Sequence, residues 1–143
     1  MCGIAGWVGQ APVELLPTML RLLKHRGPDG DGAYAEGDAA IGMTRLAIID
    51  VAGGQQPMAS EDGALQLVGN GEIYNYRALG ESLAARGHRL HTRSDMEVAL
   101  RAFEAYGDAC LEHLRGMFAI AIWDRGRRRL FLARDRLGKK PLY

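Results

Sequence analysis

A chain of 143 residues with 48% apolar content and a net charge of +1 has the size and core material of one folded domain. The charge is uneven, since Asp124 to Lys140 holds eight basic and two acidic residues and the rest carries −5; these arginines bunch around Gly126 like a solvated hairpin turn, which excludes a dedicated nucleic-acid binder. No run approaches the roughly 20 apolar residues of a membrane span, the start MCGIAGWVG lacks the features of a signal peptide, and two cysteines in the cytoplasmic setting this implies argue against a structural disulfide.

In chain order, GIAGWV (residues 3–8) is a short apolar run of the kind that becomes a buried strand. Pro17 to His25 suits a helix with proline in its first turn, ended by Gly27-Pro28. Residues 32–50 read as two strands around the turn EGD at 36–38, the second strand being AAIGMTRLAIID. Residues 64–69 form another strand, ending at Asn70-Gly71. Arg77 to Arg86 is helical and stopped by Gly87. Ser94 and Glu97 make a capping-box pattern that opens the helix DMEVALRAFEAY, closed by Gly107. Asp108 is placed to cap a short helix, CLEHL. MFAIAIWD and RRLFLARD then form a hairpin across Arg125-Gly126-Arg127, whose Phe118, Trp123 and Phe131 read as core. Nineteen glycines, against an average usage of about 7%, fit a protein with many turns and close backbone approaches. No repeat, linker or domain boundary interrupts the chain.

Cys2 is the sharpest chemical feature. Removal of Met1 would leave a free α-amine on the residue that carries the thiol. An α-amine titrates near 7.7–8.0 and a thiol near 8.5, so proton transfer between them is close to isoenergetic, and nucleophile and base share one residue. Position alone favours the blander reading, a small buried cysteine at a strand start. Cys110, in an apolar helical stretch, reads as a core thiol. His25, His88, His91 and His113 form no metal-ligand pattern with the cysteines or carboxylates, so no metal is assigned.

Six motifs run in order through the chain: MCGIAG, HRGPDGDG, TRLAIIDVAGGQQPM, NGEIYNYRAL, TRSDME and RDRLGKKPLY. Together they resemble the class II glutamine amidotransferases, whose nucleophile is an N-terminal cysteine, from Met1 to Tyr143. RGPDG, RLAIID with QQPM, and NGEIYN are similar to the asparagine synthetase branch (glutamine-hydrolysing). Two positions depart from the family pattern: Met43-Thr44 precede Arg45 where a basic residue is common, and Arg93 precedes Ser94 where glycine is frequent.

The resemblance implies an α/β (α+β) fold in four layers, two antiparallel sheets face to face with helices outside. It implies glutamine as substrate and Cys2 as nucleophile, with the Asn70 side-chain amide and the Gly71 N–H as oxyanion donors. Arg45 would grip the α-carboxylate and Asp95 the α-ammonium, with Leu46, Ala47, Ile48, Ile49 and Glu72 completing the pocket. Read alone, Asn-Gly is most often a hairpin turn, and Asp95 suits the first turn of any helix. Arg26 to Asp29 are expected to shape a loop. By the same resemblance the whole chain, 1–143, is one glutaminase domain that is incomplete at its C-terminal end. A synthetase domain or subunit, absent here, would receive the ammonia and use ATP and Mg to make asparagine from aspartate; this chain would carry no cofactor. The alternatives are an amidotransferase of the same superfamily with another acceptor and a non-catalytic remnant that binds glutamine or a partner, and a homodimer is left open.

Overall fold

The computed structural model describes residues 1–12 and 14–143. Two antiparallel sheets face each other. The first holds three strands, β1 (Gly3–Val8), β2 (Gly30–Glu36) and β3 (Ala39–Arg45), in the order β1-β3-β2. The second holds β4 (Met58–Ala59), β5 (Leu65–Ile73), β6 (Gly116–Asp124) and β7 (Arg129–Arg134) in sequence order. Helix α1 (Leu15–Leu23) covers the outside of the first sheet, while α2 (Tyr76–Ala85), α3 (Asp95–Tyr106) and the short α4 (Cys110–His113) lie on the second.

The layering follows from side-chain alternation along the central strands. On β3, Ile41 and Met43 point between the sheets, where they meet Val68, Ala121 and Trp123, while Ala40 turns outward to Leu16 and Leu20 of α1. On β6, Phe118, Ile120 and Ile122 face the opposite way, into a larger core with Leu100 and Phe103 of α3. Strands buried on both faces read as continuous apolar runs, which is why MFAIAIWD shows no polar alternation.

Five details differ from the expectations of sequence. The first helix starts at Leu15 and passes into a 3₁₀ turn at Lys24–Arg26. The strand expected to reach Asp50 stops at Arg45, because the Arg45 guanidinium gathers the carbonyls of Ile49, Asp50 and Val51 and curls the chain beyond it into a loop. Asn70-Gly71 ends nothing: β5 runs through both residues to Ile73, with Gly71 opposite Phe118. Ser94 caps α3 by accepting the Met96 N–H at 3.2 Å, but Glu97 reaches past it to the N–H groups of His91 and Thr92 instead of closing a capping box. Asp108 caps no helix; it pairs with Arg129, and Ala109 stands at the N-cap of α4.

Candidate functional site

A cavity of about 180 Å³ opens between the residues leading into β1, the loop after β3, the far half of β5 and the N-terminus of α3. Cys2 sits at its rim. Pairing of Gly3 with Thr44 sets the start of β1 beside the end of β3, so the Sγ of Cys2 lies 3.4 Å from the Leu46 N–H and 3.6 Å from the Leu46 carbonyl. The HRGPD segment holds this corner. Arg26 Nε donates to the Cys2 carbonyl at 3.1 Å, Asp29 N donates to the Arg45 carbonyl at 2.9 Å, and the Asp29 carboxylate accepts from Ala47 N at 2.8 Å. That last bond turns Ala47 away: Leu46, Ile48 and Ile49 line the cavity, and Ala47 does not.

Arg45 is buried, its guanidinium bonded to the Val51 and Asp50 carbonyls at 2.8 Å each and to that of Ile49 at 3.3 Å. Its hydrogen bonds go to carbonyls and it makes no ion pair among the described residues, which leaves it suited to an incoming carboxylate. Asp50 ties the same loop to the opposite wall, its carboxylate accepting from Gly53 N at 3.0 Å and from Arg93 N at 2.7 Å. Those bonds hold its carboxyl below the usual range.

The second sheet supplies the polar end. Val68, Asn70 and Glu72 alternate onto the face of β5 that looks at the first sheet; Val68 belongs to the core between the sheets, and Asn70 and Glu72 reach the cavity. The backbone along the open edge of β5 is equally ordered. β4 pairs only with Leu67 and Gln66, and beyond it side chains take the strand's place: Gln56 Oε1 accepts from Gly69 N at 2.6 Å, and Asp95 Oδ2 accepts from Ile73 N at 2.8 Å. Alternate N–H groups of a strand share one edge, so the Gly71 N–H points between these two acceptors, into the cavity. Glycine is required there: φ is 155°, and a Cβ would collide with the Met117 carbonyl on β6.

Asp95 is the first residue of α3 and is 4% exposed. Burial pushes its carboxyl above the usual carboxylate range, opposed by hydrogen bonds from the N–H groups of Ile73, Asp95 and Met96 and reinforced by the neighbouring charge of Glu72. Such a pair of carboxylates is stabilised by a cation placed between them.

The structure thus brings Cys2, Arg45, Leu46, Ile48, Ile49, Asn70, Gly71, Glu72 and Asp95 to one cavity from four separated segments. Gln56, Met117 and Lys140 line it as well. Gln56 and Lys140 stand within motifs noted in the sequence, QQPM and RDRLGKKPLY, but their roles depend on long-range packing; Met117 carries no signal beyond its apolar character. Cys110 lies elsewhere, fully buried, where burial and then Asp108 raise its thiol to about 11.

Residues 1–143 match the family of glutamine amidotransferase domains. Across its whole length the chain is 43% identical to asparagine synthetase (glutamine-hydrolyzing) 3 of Bacillus subtilis and 42% to asparagine synthetase 1 of the same organism, covering 24% of each. It is 38% identical to asparagine synthetase 3 of Arabidopsis thaliana, of which it covers 25%. The chain spans about a quarter of the length of these curated relatives. A solved glutamine phosphoribosylpyrophosphate amidotransferase from B. subtilis, complexed with ADP and GMP, superposes with a TM-score of 0.77 at 23% identity, over 94% of this chain and 37% of that one. That likeness concerns the fold alone. Among the described residues no helix is long and apolar enough to cross a membrane. A match over every residue, joined to an alignment with the synthetases that covers the whole chain, means that this chain belongs to the glutamine amidotransferase domain family.

Proposed function

We propose that this chain is the glutaminase part of an asparagine synthetase, hydrolysing glutamine to glutamate and ammonia at Cys2. One observation carries the reading: a cysteine, a buried arginine without a carboxylate partner, an asparagine amide, a free-edge glycine N–H and two carboxylates converge on one small cavity. That set matches an α-amino acid with a side-chain amide. Arg45 takes the carboxylate, Asp95 and Glu72 take the ammonium, and the carboxamide extends toward Cys2. Reading both charged ends is what distinguishes free glutamine from amides within proteins.

The mechanism follows from the groups in place. Once Met1 is removed, the α-amine of Cys2 accepts the thiol proton, and the sulfur attacks the carboxamide carbon. Asn70 and the Gly71 N–H donate to the oxygen as it becomes negative. The α-ammonium returns its proton to the departing nitrogen, ammonia leaves, and water cleaves the thioester to glutamate with the α-amine again as base. The ammonia acceptor lies on a part of the protein outside this chain. Identity of 43% with an asparagine synthetase over the full chain supports aspartate as acceptor, with ATP and Mg used at that other site. The chain itself is proposed to work without a cofactor, in the cytoplasm, bound to its synthetase part.

The test is covalent capture. Diazo-oxo-norleucine, an electrophile shaped like glutamine, is expected to add once to the Met1-processed chain, with the adduct mapped to Cys2 and glutamine protecting against it. No adduct, or an adduct on Cys110, overturns the reading.

A further inference from the structure

The RDRLGKKPLY motif has no part in the mechanism above, yet it delivers a cation to the cavity wall. Asp135, 5% exposed, spends its carboxylate on backbone: it accepts from Phe118 N, Leu137 N, Lys139 N and Lys140 N at 2.9 to 3.2 Å. Gly138, at φ 64°, lets the chain turn tightly around that carboxylate. The product of this turn is Lys140, 6% exposed and lining the cavity beside Cys2. Its Nζ lies 2.7 Å from the Sδ of Met1, and no ion pair among the described residues includes it. A buried ammonium whose partner is a thioether, on the residue that processing would remove, has no structural purpose of its own.

We propose that Lys140 is a positioning residue for the nucleophile, its ammonium held one methionine side chain from the amino group of Cys2 so that, after Met1 is removed, that amino group is kept unprotonated and able to act as the base. The inference rests on the glutaminase reading. Two like charges in a partly desolvated site disfavour each other, and at this range the effect on the α-amine's protonation midpoint is about one pH unit. The other charged groups facing the corner are Arg26 and Arg45, which act in the same direction, and Asp29, Glu72 and Asp95, which oppose it. Of these, Arg26 is bonded to the Cys2 carbonyl, Arg45 to the carbonyls of Ile49, Asp50 and Val51, and Asp29 to Ala47 N, while Glu72 and Asp95 stand on the cavity wall formed by β5 and α3. Lys140 is the cavity-lining cation whose charged group, among the described residues, meets no oxygen acceptor.

The experiment compares wild type with Lys140→Met, Lys140→Gln and Lys140→Arg, each released from a cleavable tag so that Cys2 is the first residue. Two pH profiles are recorded: kcat/KM for glutamine, and trace acetylation of the α-amine mapped by mass. Loss of the charge is expected to move the acid limb of both profiles upward by about one unit, lowering turnover below that limb about tenfold, and arginine is expected to restore it. Midpoints within about 0.3 unit of wild type in both neutral variants, or failure of arginine to restore them, overturn the proposal. If wild type turns over no glutamine, the glutaminase reading fails, while the acetylation profile still decides the role of Lys140. Circular dichroism identifies a variant that fails to fold, and the two neutral substitutions differ enough in polarity that the folded one supplies the answer.

Discussion

The two cysteines lie in opposite kinds of surroundings, one open to a polar cavity and the other sealed in the core. Cys2 stands half-buried at the cavity rim, in contact with a backbone N–H. Cys110 is sealed beneath α3 with Leu114 and Phe103, where burial raises its thiol to about 11 and removes the thiolate at neutral pH. What separates them is that β1 begins against the Arg45–Leu46 corner, whereas α4 is pressed onto the largest core of the molecule.

The largest expected effect breaks the comparison outright. Cys2→Ala should abolish glutamate production in a coupled assay while the thermal midpoint stays put; measurable turnover would remove Cys2 from its assigned role. Asn70→Ala should lower kcat by about 10²- to 10³-fold with a smaller change in KM, the usual cost of losing one oxyanion donor. A raised KM with kcat unchanged would mean that Asn70 binds substrate without favouring the transition state.

Next comes Asp95→Asn, expected to raise KM for glutamine by about tenfold or more, as a charge-assisted bond to the ammonium is lost. Its pH dependence has a definite sign. Because burial raises the folded-state midpoint of Asp95 above the unfolded value, the folded chain binds the proton more tightly. The empty domain therefore loses stability as pH rises between those midpoints. Glutamine binding needs the ionised form, so KM should climb as pH falls through the raised midpoint, and Asp95→Asn should flatten both trends. Thermal melts and initial rates across the acid range read them directly.

The smallest effect sharpens the contrast from the other side. Cys110→Ala should leave turnover unchanged and lower stability by about 1 to 2 kcal/mol, by urea titration, through a small cavity in the core. A disulfide reagent should label Cys2 in the native chain and Cys110 only after unfolding.

Sequence was sufficient wherever a feature depends on near neighbours. Apolar periodicity marked the helices, the Ser94 cap placed the start of α3, and unbroken apolar runs marked the strands buried on both faces, such as β6. Six ordered motifs pointed to the family and to residues that the fold then gathers from distant segments. Tertiary structure decided the features whose bonding partner lies outside the regular ladder of a helix or strand. Asn70-Gly71 has the composition of a turn, yet β6 pairs with it and holds it extended, which turns the Gly71 N–H toward the cavity. Residues 46–50 have strand-like composition, but Arg45 captures their carbonyls and folds them into the pocket wall. Glu97 and Asp108 pass over local capping for His91, Thr92 and Arg129, and Asp135 builds the turn that carries Lys140 to Cys2. In each case a group finds a partner that no helical or strand periodicity marks, whether a few residues away, as for Arg45, Glu97 and Asp135, or on another element, as for Gly71 and Asp108. A propensity counted over adjacent residues carries no record of a bond that exists only once the two sheets have closed on each other.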